Sequence, residues 1–523
     1  MREHCRADEG ADHSSIESRV ERFPDATATR PGDSHSHHSI LNREHLTGRE
    51  RLGVRCDHGV THSRESHVRV LRHRCRWKER RNRDRRGYSS GVHLAFKLLA
   101  SLAPCFVGIA LAQSAPHFSQ EASRDPESIA VELPCPARGD SFAPRLLVDG
   151  DVLVLSWIEA EGPRSPSMPP LHRVCMSRYA DNAWSEVSTI ASGENLFANW
   201  ADTPTIVRAT DGRLLATWLR KSAASTYAYD IVTSQSKDDG QTWETLGPLH
   251  DDAKFAEHGF VSAQSTKELS AFCWLDGRAM ELPDESAGGH GHGGGDMTLR
   301  AARTTPTNDR AAPPSEILDE RVCECCPTDL AIGARGPIIV YRDRGEDGTR
   351  DIAIVRWLGE GWSLPQPVAR DGWMLEGCPV NGPSISANGD DLVVAWWTGE
   401  PTNGAVRAAR SNDHGASFGK PIDLDTNGSL GRVETLLLPT GDALIFWYDR
   451  DAGAGASLVC KRLTLAGTLG ALQKVTSVAA DRSSGFPRAV VRGTDAYLAT
   501  TEVGADKSRR VRLHRVSLAA LAK

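Results

Sequence analysis

Most of this chain shows no surplus of either charge, no long apolar helix and no helical spacing. Acidic residues outnumber basic ones by six across 523 positions, and the isoelectric point is about 6.4. So even a balance gives no reason to expect nucleic-acid binding. One run near residue 100 is the sole apolar stretch of membrane-crossing length. The absence of a 3.6-residue repeat between apolar segments argues against parallel βαβ units. Punctuation is abundant instead: 47 glycines and 28 prolines imply many short strands and turns.

The first ninety residues stand apart. They are dense in Arg, His and Ser and hold one of the thirteen tryptophans, Trp77. No apolar periodicity appears in 1–90, which reads as a disordered basic extension or as sequence upstream of the true start. Residues 91–112 follow with Lys97, an apolar core and Ala110-Leu111-Ala112 before Gln113. That order is a secretory signal peptide. Initiation near Val92, a mature chain 113–523 and export to the periplasm or medium are therefore expected. Pro104 argues against a lipid anchor at Cys105.

From residue 140 a unit recurs every 45–65 residues, beginning at Pro144, Pro204, Gly259, Cys326, Gly382, Gly431 and Gly485. Each shows a short strand, a Gly/Asp/Asn turn and an apolar strand, usually ending near an aromatic. Four-strand units at this period predict an all-β fold, a β-propeller of seven blades, with six as the fallback. The last unit has only three strands. The segment SIAVELP from Ser128 is expected to supply its outer strand and close the ring.

Two units carry SKDDGQTW (Ser236–Trp243) and SNDHGASF (Ser411–Phe418). Both resemble the Asp box of the sialidase (neuraminidase) superfamily, over roughly residues 140–518. The phrases EHGF, WLDGR, CECCPTD, YRDR and CPVNGP look like secreted bacterial proteins described as exo-α-sialidase-like. The Asp and Gly of such turns are structural. The resemblance implies a glycoside hydrolase for an acidic sugar. Three arginines would hold the substrate carboxylate, a tyrosine–glutamate pair would supply the nucleophile, and an aspartic acid would donate the proton.

Blade topology places inner-strand starts and second-strand ends on one face, around the channel. Starts offer Arg145, Asp202, Glu257, His258, Asp329, Asn381, Arg432, Glu434 and Arg488. Ends offer Glu159, Lys221, Asp276, Arg278, Arg342, Asp343, Arg344, Asp449 and Arg450. Catalytic candidates are Asp202, Glu257, Asp276 and Tyr448, with Tyr227 and Tyr229 as other tyrosines. Ligand candidates are Arg145, Lys221, His258, Arg278, Arg342, Asp343, Asn381, Arg432 and Glu434. Arg145 in APRL resembles a family arginine element, and Arg278, Arg342 and Arg432 are expected to complete an anion site. Salt bridges that seal adjacent blades are the competing use of these charges. A non-catalytic propeller binding a glycan, a protein or a metal ion at the same face is the competing function, and a monomer is expected under either reading.

Nine of the twelve cysteines lie from Cys105 onward, so export would favour disulfides. Cys326 and Cys378 each precede a proline at a blade start and are expected to bridge. Cys325–Cys326 and Cys323–Cys378 are the other pairings, and Cys135–Cys175 is a further one. The same thiols, Cys323, Cys325, Cys326 and Cys378, with His258, His290 and His292, would instead suit copper or zinc. No other cofactor is called for.

Overall fold

The computed structural model describes residues 128–162, 170–280, 294–304, 314–400 and 404–521. The basic extension, the signal-like segment, His290 and His292 lie outside these residues. The described residues contain one 3₁₀ turn, Arg482–Ser484, and otherwise strands, turns and loops; no helix there is long and apolar enough to cross a membrane.

The strands form seven antiparallel sheets, arranged as a seven-bladed β-propeller. The inner strands are Ser141–Asp149, Thr205–Arg208, His258–Ser265, Asp329–Gly333, Ser384–Asn388, Gly431–Leu437 and Arg488–Arg492. Blade 1 carries a split outer edge, where Ala183–Trp184 and Ser188–Gly193 both pair with Leu171–Ala180. Blade 7 is built from both ends of the chain: Val131 pairs with Arg515 and Leu133 with Leu513. An ion pair between Arg512 and Glu132, 2.8 Å, supports this closing strand.

Apolar residues alternate along each strand and meet those of the next blade, giving one hydrophobic cluster per blade interface. Trp157, Trp274, Trp396 and Trp447 are fully buried on second strands. Two donate to an acid two residues on, across one pleat: Trp157 to Glu159 and Trp274 to Asp276, each 2.9 Å.

Inner strands of different blades belong to different sheets, so side chains do much of the stitching between them. Ser384 and Ser386 hydroxyls accept Thr435 and Leu437 N–H at 3.1 and 2.9 Å. Asp329 accepts Ile385 N–H at 2.8 Å, and Glu434 accepts Ala489 N–H at 3.0 Å. Three strand entries, in blades 1, 3 and 6, are bulged, with left-handed Ala143, Phe260 and Arg432.

Both Ser-x-Asp-x-Gly turns are built alike. Asp238 accepts the Thr242 N–H and hydroxyl at 2.9 and 2.6 Å; Asp413 does the same for Ser417 at 3.0 and 2.6 Å. These bonds hold both carboxyls down near 2. Asp239 and His414 take positive φ within them.

Candidate functional site: the channel and its rim

The central channel holds a cavity of about 320 Å³. Arg145, Asp329, Glu434 and Arg488 line it, with Gln264, Ser384 and Ser386. Glu434 and Asp329 are committed to the amides of the next blade. Arg488 leans on Glu434 at 3.3 Å. Among the described residues, the Arg145 guanidinium has no hydrogen-bonded or ion-paired partner, though Arg488, Asp329 and Glu434 surround it. Burial, and then the charge of Arg488, lower its affinity for its proton. Burial likewise raises the Glu434 carboxyl. An anion entering this cavity meets a half-buried guanidinium on its wall.

A second cluster sits at the entry to blade 3. Tyr229 donates its phenol proton to Glu257 at 2.6 Å. The backbone places them together: Tyr229 N–H bonds Ala256 O at 3.0 Å, and Tyr229 and Glu257 form a parallel bridge. Sequence spacing could not show this pair, because its partners sit in different blades. Asp202 accepts the Phe260 N–H at 2.6 Å. Burial pushes the Asp202 carboxyl up to about 7, with Glu257 adding to the push and Phe260 opposing it. Both groups crowd Gly259, where a Cβ would fall on Asp202 Oδ2 and 3.0 Å from the Tyr229 ring. The Tyr229 ring is buried and stacks on Phe197 at 4.4 Å. Its phenol is held well above the ordinary tyrosine range, by burial first and by Glu257 second.

The expected arginine triad does not assemble. Arg342 is 1% exposed and points under the rim. It donates to Asn381 O at 2.8 and 3.1 Å, Trp397 O at 2.6 Å and Arg350 O at 2.5 Å. Arg278 is held by Asp276 and Asp251, both at 2.7 Å. Arg432 donates to Asp481 O and Gly485 O at 3.1 Å. Each is consumed by the scaffold of its own neighbourhood.

Other candidates are also turned inward. Tyr448 lies in the apolar interface of blades 6 and 7, its hydroxyl unbonded and its pKa raised by burial. Asp276 is fully buried between Trp274 and Arg278. His258 is fully buried, stacked on His250 at 3.8 Å and 3.2 Å from Asp252. Lys221 caps the Ser225 carbonyl at 3.1 Å. Asn381 is buried, accepting Arg432 N–H at 2.7 Å and donating to Leu430 O at 2.9 Å. Asp343 is half-buried and accepts the Arg344 N–H at 2.6 Å, with burial and then Asp319 raising it to about 6. Arg350 pairs with Glu324 at 3.2 Å, and the third strand of its blade begins at Ile352.

No disulfide joins any of the eight described cysteines. The expected Cys326–Cys378 bridge is replaced by a different grouping. Cys326 is buried and receives the Asn381 N–H at 3.3 Å, whereas Cys378 stays exposed and meets Cys325. Cys323, Cys325 and Cys326 hold their sulfurs within 4.8 Å of one another. A second set that could hold a metal, Asp230 with His250 and His258, is the buried carboxylate–imidazole network between blades 2 and 3.

No family model matches the chain, and no curated protein matches it. Solved structures do. A protein of unknown function from Dyadobacter fermentans is 14% identical over 62% of this chain and 97% of its own, with a TM-score of 0.41. The α-L-arabinanase of Penicillium chrysogenum, complexed with arabinobiose, is 12% identical over 75% and 97%, with a TM-score of 0.38. The Trypanosoma rangeli sialidase, complexed with the inhibitor DANA, is 12% identical over 64% and 57%, with a TM-score of 0.37. At these levels no residue role is transferred from them.

Proposed function

We propose that this protein binds a small acidic carbohydrate in its central channel. The observation that supports this reading is the unpartnered Arg145 guanidinium, which faces a 320 Å³ cavity beside Arg488. A planar guanidinium matches a carboxylate through two parallel hydrogen bonds. Serine and glutamine side chains lining the same cavity suit sugar hydroxyls. Export, read from residues 91–112, would bring the channel to extracellular glycans. The test is calorimetric titration with N-acetylneuraminic acid, glucuronic acid and neutral galactose. Binding of an acidic sugar, weakened about 10- to 150-fold in Arg145→Met, is expected, the range of a charged hydrogen bond. Equal binding by the variant, or none by the parent, overturns the reading.

One observation, at the entry to blade 3 and outside the lining of the Arg145 cavity, favours a second reading, hydrolysis of a glycoside of an acidic sugar. The Tyr229–Glu257 hydrogen bond is the arrangement an activated phenol requires: the phenolic oxygen attacks the anomeric carbon while Glu257 takes its proton. Asp202, whose carboxyl is raised to about 7 by burial, would protonate the departing oxygen from its neutral form. Phe197 covers the Tyr229 ring, so the reaction requires Phe197 to move. Turnover of a fluorogenic sialoside that Tyr229→Phe abolishes would establish this reading. Binding without turnover leaves the channel as a receptor.

A further inference from the structure

We infer that Cys323, Cys325, Cys326 and Cys378 form a binding site for one thiophilic closed-shell metal ion, copper(I) or zinc(II), on the rim between blades 4 and 5. The site is separate from the Arg145 cavity and does not depend on the carbohydrate reading.

The geometry comes first. Three sulfurs lie mutually within 4.8 Å, Cys323 and Cys326 at 3.5 Å. Cys378, from the segment before the next blade, reaches Cys325. Cys-Glu-Cys-Cys supplies three thiols from four residues, and Cys378 adds a fourth 52 positions after Cys326. Thiolate sets of this kind select soft, closed-shell ions over hard oxygen-loving ones. Exposure is graded: Cys323 and Cys326 are buried, Cys325 is half-buried and Cys378 is exposed, so the cluster opens to solvent on one side.

Charge is the independent observation. Among the described residues no carboxylate pairs with the fully buried Arg342, which donates to backbone carbonyls and lies 4.9 Å over the Trp373 ring. Asp351 lies within electrostatic range, but its oxygens accept Gly372 and Trp373 N–H at 3.1 and 3.3 Å. A buried cation without a counter-ion is costly. Arg342 lies beside Cys326, and Arg350 lies beside Cys323 and Cys325. Arg350 is already paired with Glu324, so of these two cations Arg342 is the one without an ion-paired carboxylate among the described residues. The Asn381 N–H aimed at Cys326 Sγ is the donor a metal-bound thiolate keeps. On binding, each coordinating thiol gives its proton to solvent and its lone pair to the metal; no electron changes hands.

The test uses the whole reduced protein, prepared anaerobically. Zinc is titrated against a chromophoric chelator, copper(I) against a copper(I) chelator, and cobalt(II) reports thiolate ligation through charge-transfer absorption. One equivalent of zinc or copper(I), with sulfur-to-cobalt bands, is expected. Exposed Cys378→Ser should weaken the metal by more than the roughly 10- to 100-fold cost of losing an outer-sphere partner, with an unchanged melting temperature before loading. Cys460→Ser, in another blade, should bind as the parent does. Absence of stoichiometric metal, or equal binding by Cys378→Ser, overturns the inference. So does protein from its native host that carries a Cys323–Cys326 or Cys325–Cys378 disulfide and no metal.

Discussion

Asp202 and Asn381 each precede the inner strand of a blade, and each accepts the backbone N–H of a left-handed residue in the following blade. Asp202 holds Phe260 at 2.6 Å; Asn381 holds Arg432 at 2.7 Å. One position is ionisable and the other is not, although the hydrogen bond is the same.

That difference gives a pH prediction. The folded-state pKa of Asp202 is about 7, raised from 3.8. The native protein therefore binds more protons than the unfolded chain between those values. The contribution is fully present below about pH 4 and lost as pH rises through 7. Asp202→Asn keeps an acceptor for Phe260 and removes the ionisation. Its stability relative to the parent should rise from near zero at pH 4 toward an upper bound on the order of 4 kcal/mol at pH 8. Denaturant melts of both proteins across that range measure the difference, and a flat difference refutes the assignment.

Gly259 faces the same carboxylate. Gly259→Ala should destabilise the protein by about 1–3 kcal/mol, because a methyl group there falls on Asp202 Oδ2. Asp202→Ala should relieve part of that loss. A double-mutant cycle by chemical denaturation checks the coupling, and strictly additive losses would show that the crowding lies elsewhere.

Replacing Arg342 tests its place in the scaffold. Arg342→Met strands three buried carbonyl acceptors, those of Asn381, Trp397 and Arg350, and should cost upward of about 3 kcal/mol. Affinity for an acidic sugar per folded molecule should be unchanged. A variant that melts like the parent but binds acidic sugar more weakly would return Arg342 to the anion site.

Deleting Ser128–Pro134 removes the outer strand of blade 7 and exposes the edge of Arg509–Ser517. The shortened protein should melt at lower temperature and self-associate, as unprotected edges do. Differential scanning calorimetry with light scattering would show both changes.

The blades were legible because their period is regular, and the closing strand because the last unit lacked one. The turns at Ser236 and Ser411 were legible because their bonds are local. Arg342 was not, because alternation gives the face of a side chain but not what the neighbouring blade presents there; Asn381 and Trp397 carbonyls turn it into a seal. Tyr448 shares its face with Phe446, and both pack against blade 7. Cys326 and Cys378 have matching Cys-Pro contexts, yet the former turns under the Asn381 amide while the latter remains outside. The Tyr229–Glu257 contact depends on a parallel bridge that no short motif announces.

The shared seventh blade also sets the order of assembly. Glu132 and Arg512 are 380 residues apart in sequence and meet in one sheet. Six blades can form from contiguous chain as it is synthesised, but the seventh waits for the last strand. Loop closure over that span makes the final pairing the slowest to reach. Until then, the first and sixth blades present unsealed apolar faces, and the nascent ring is at its most aggregation-prone.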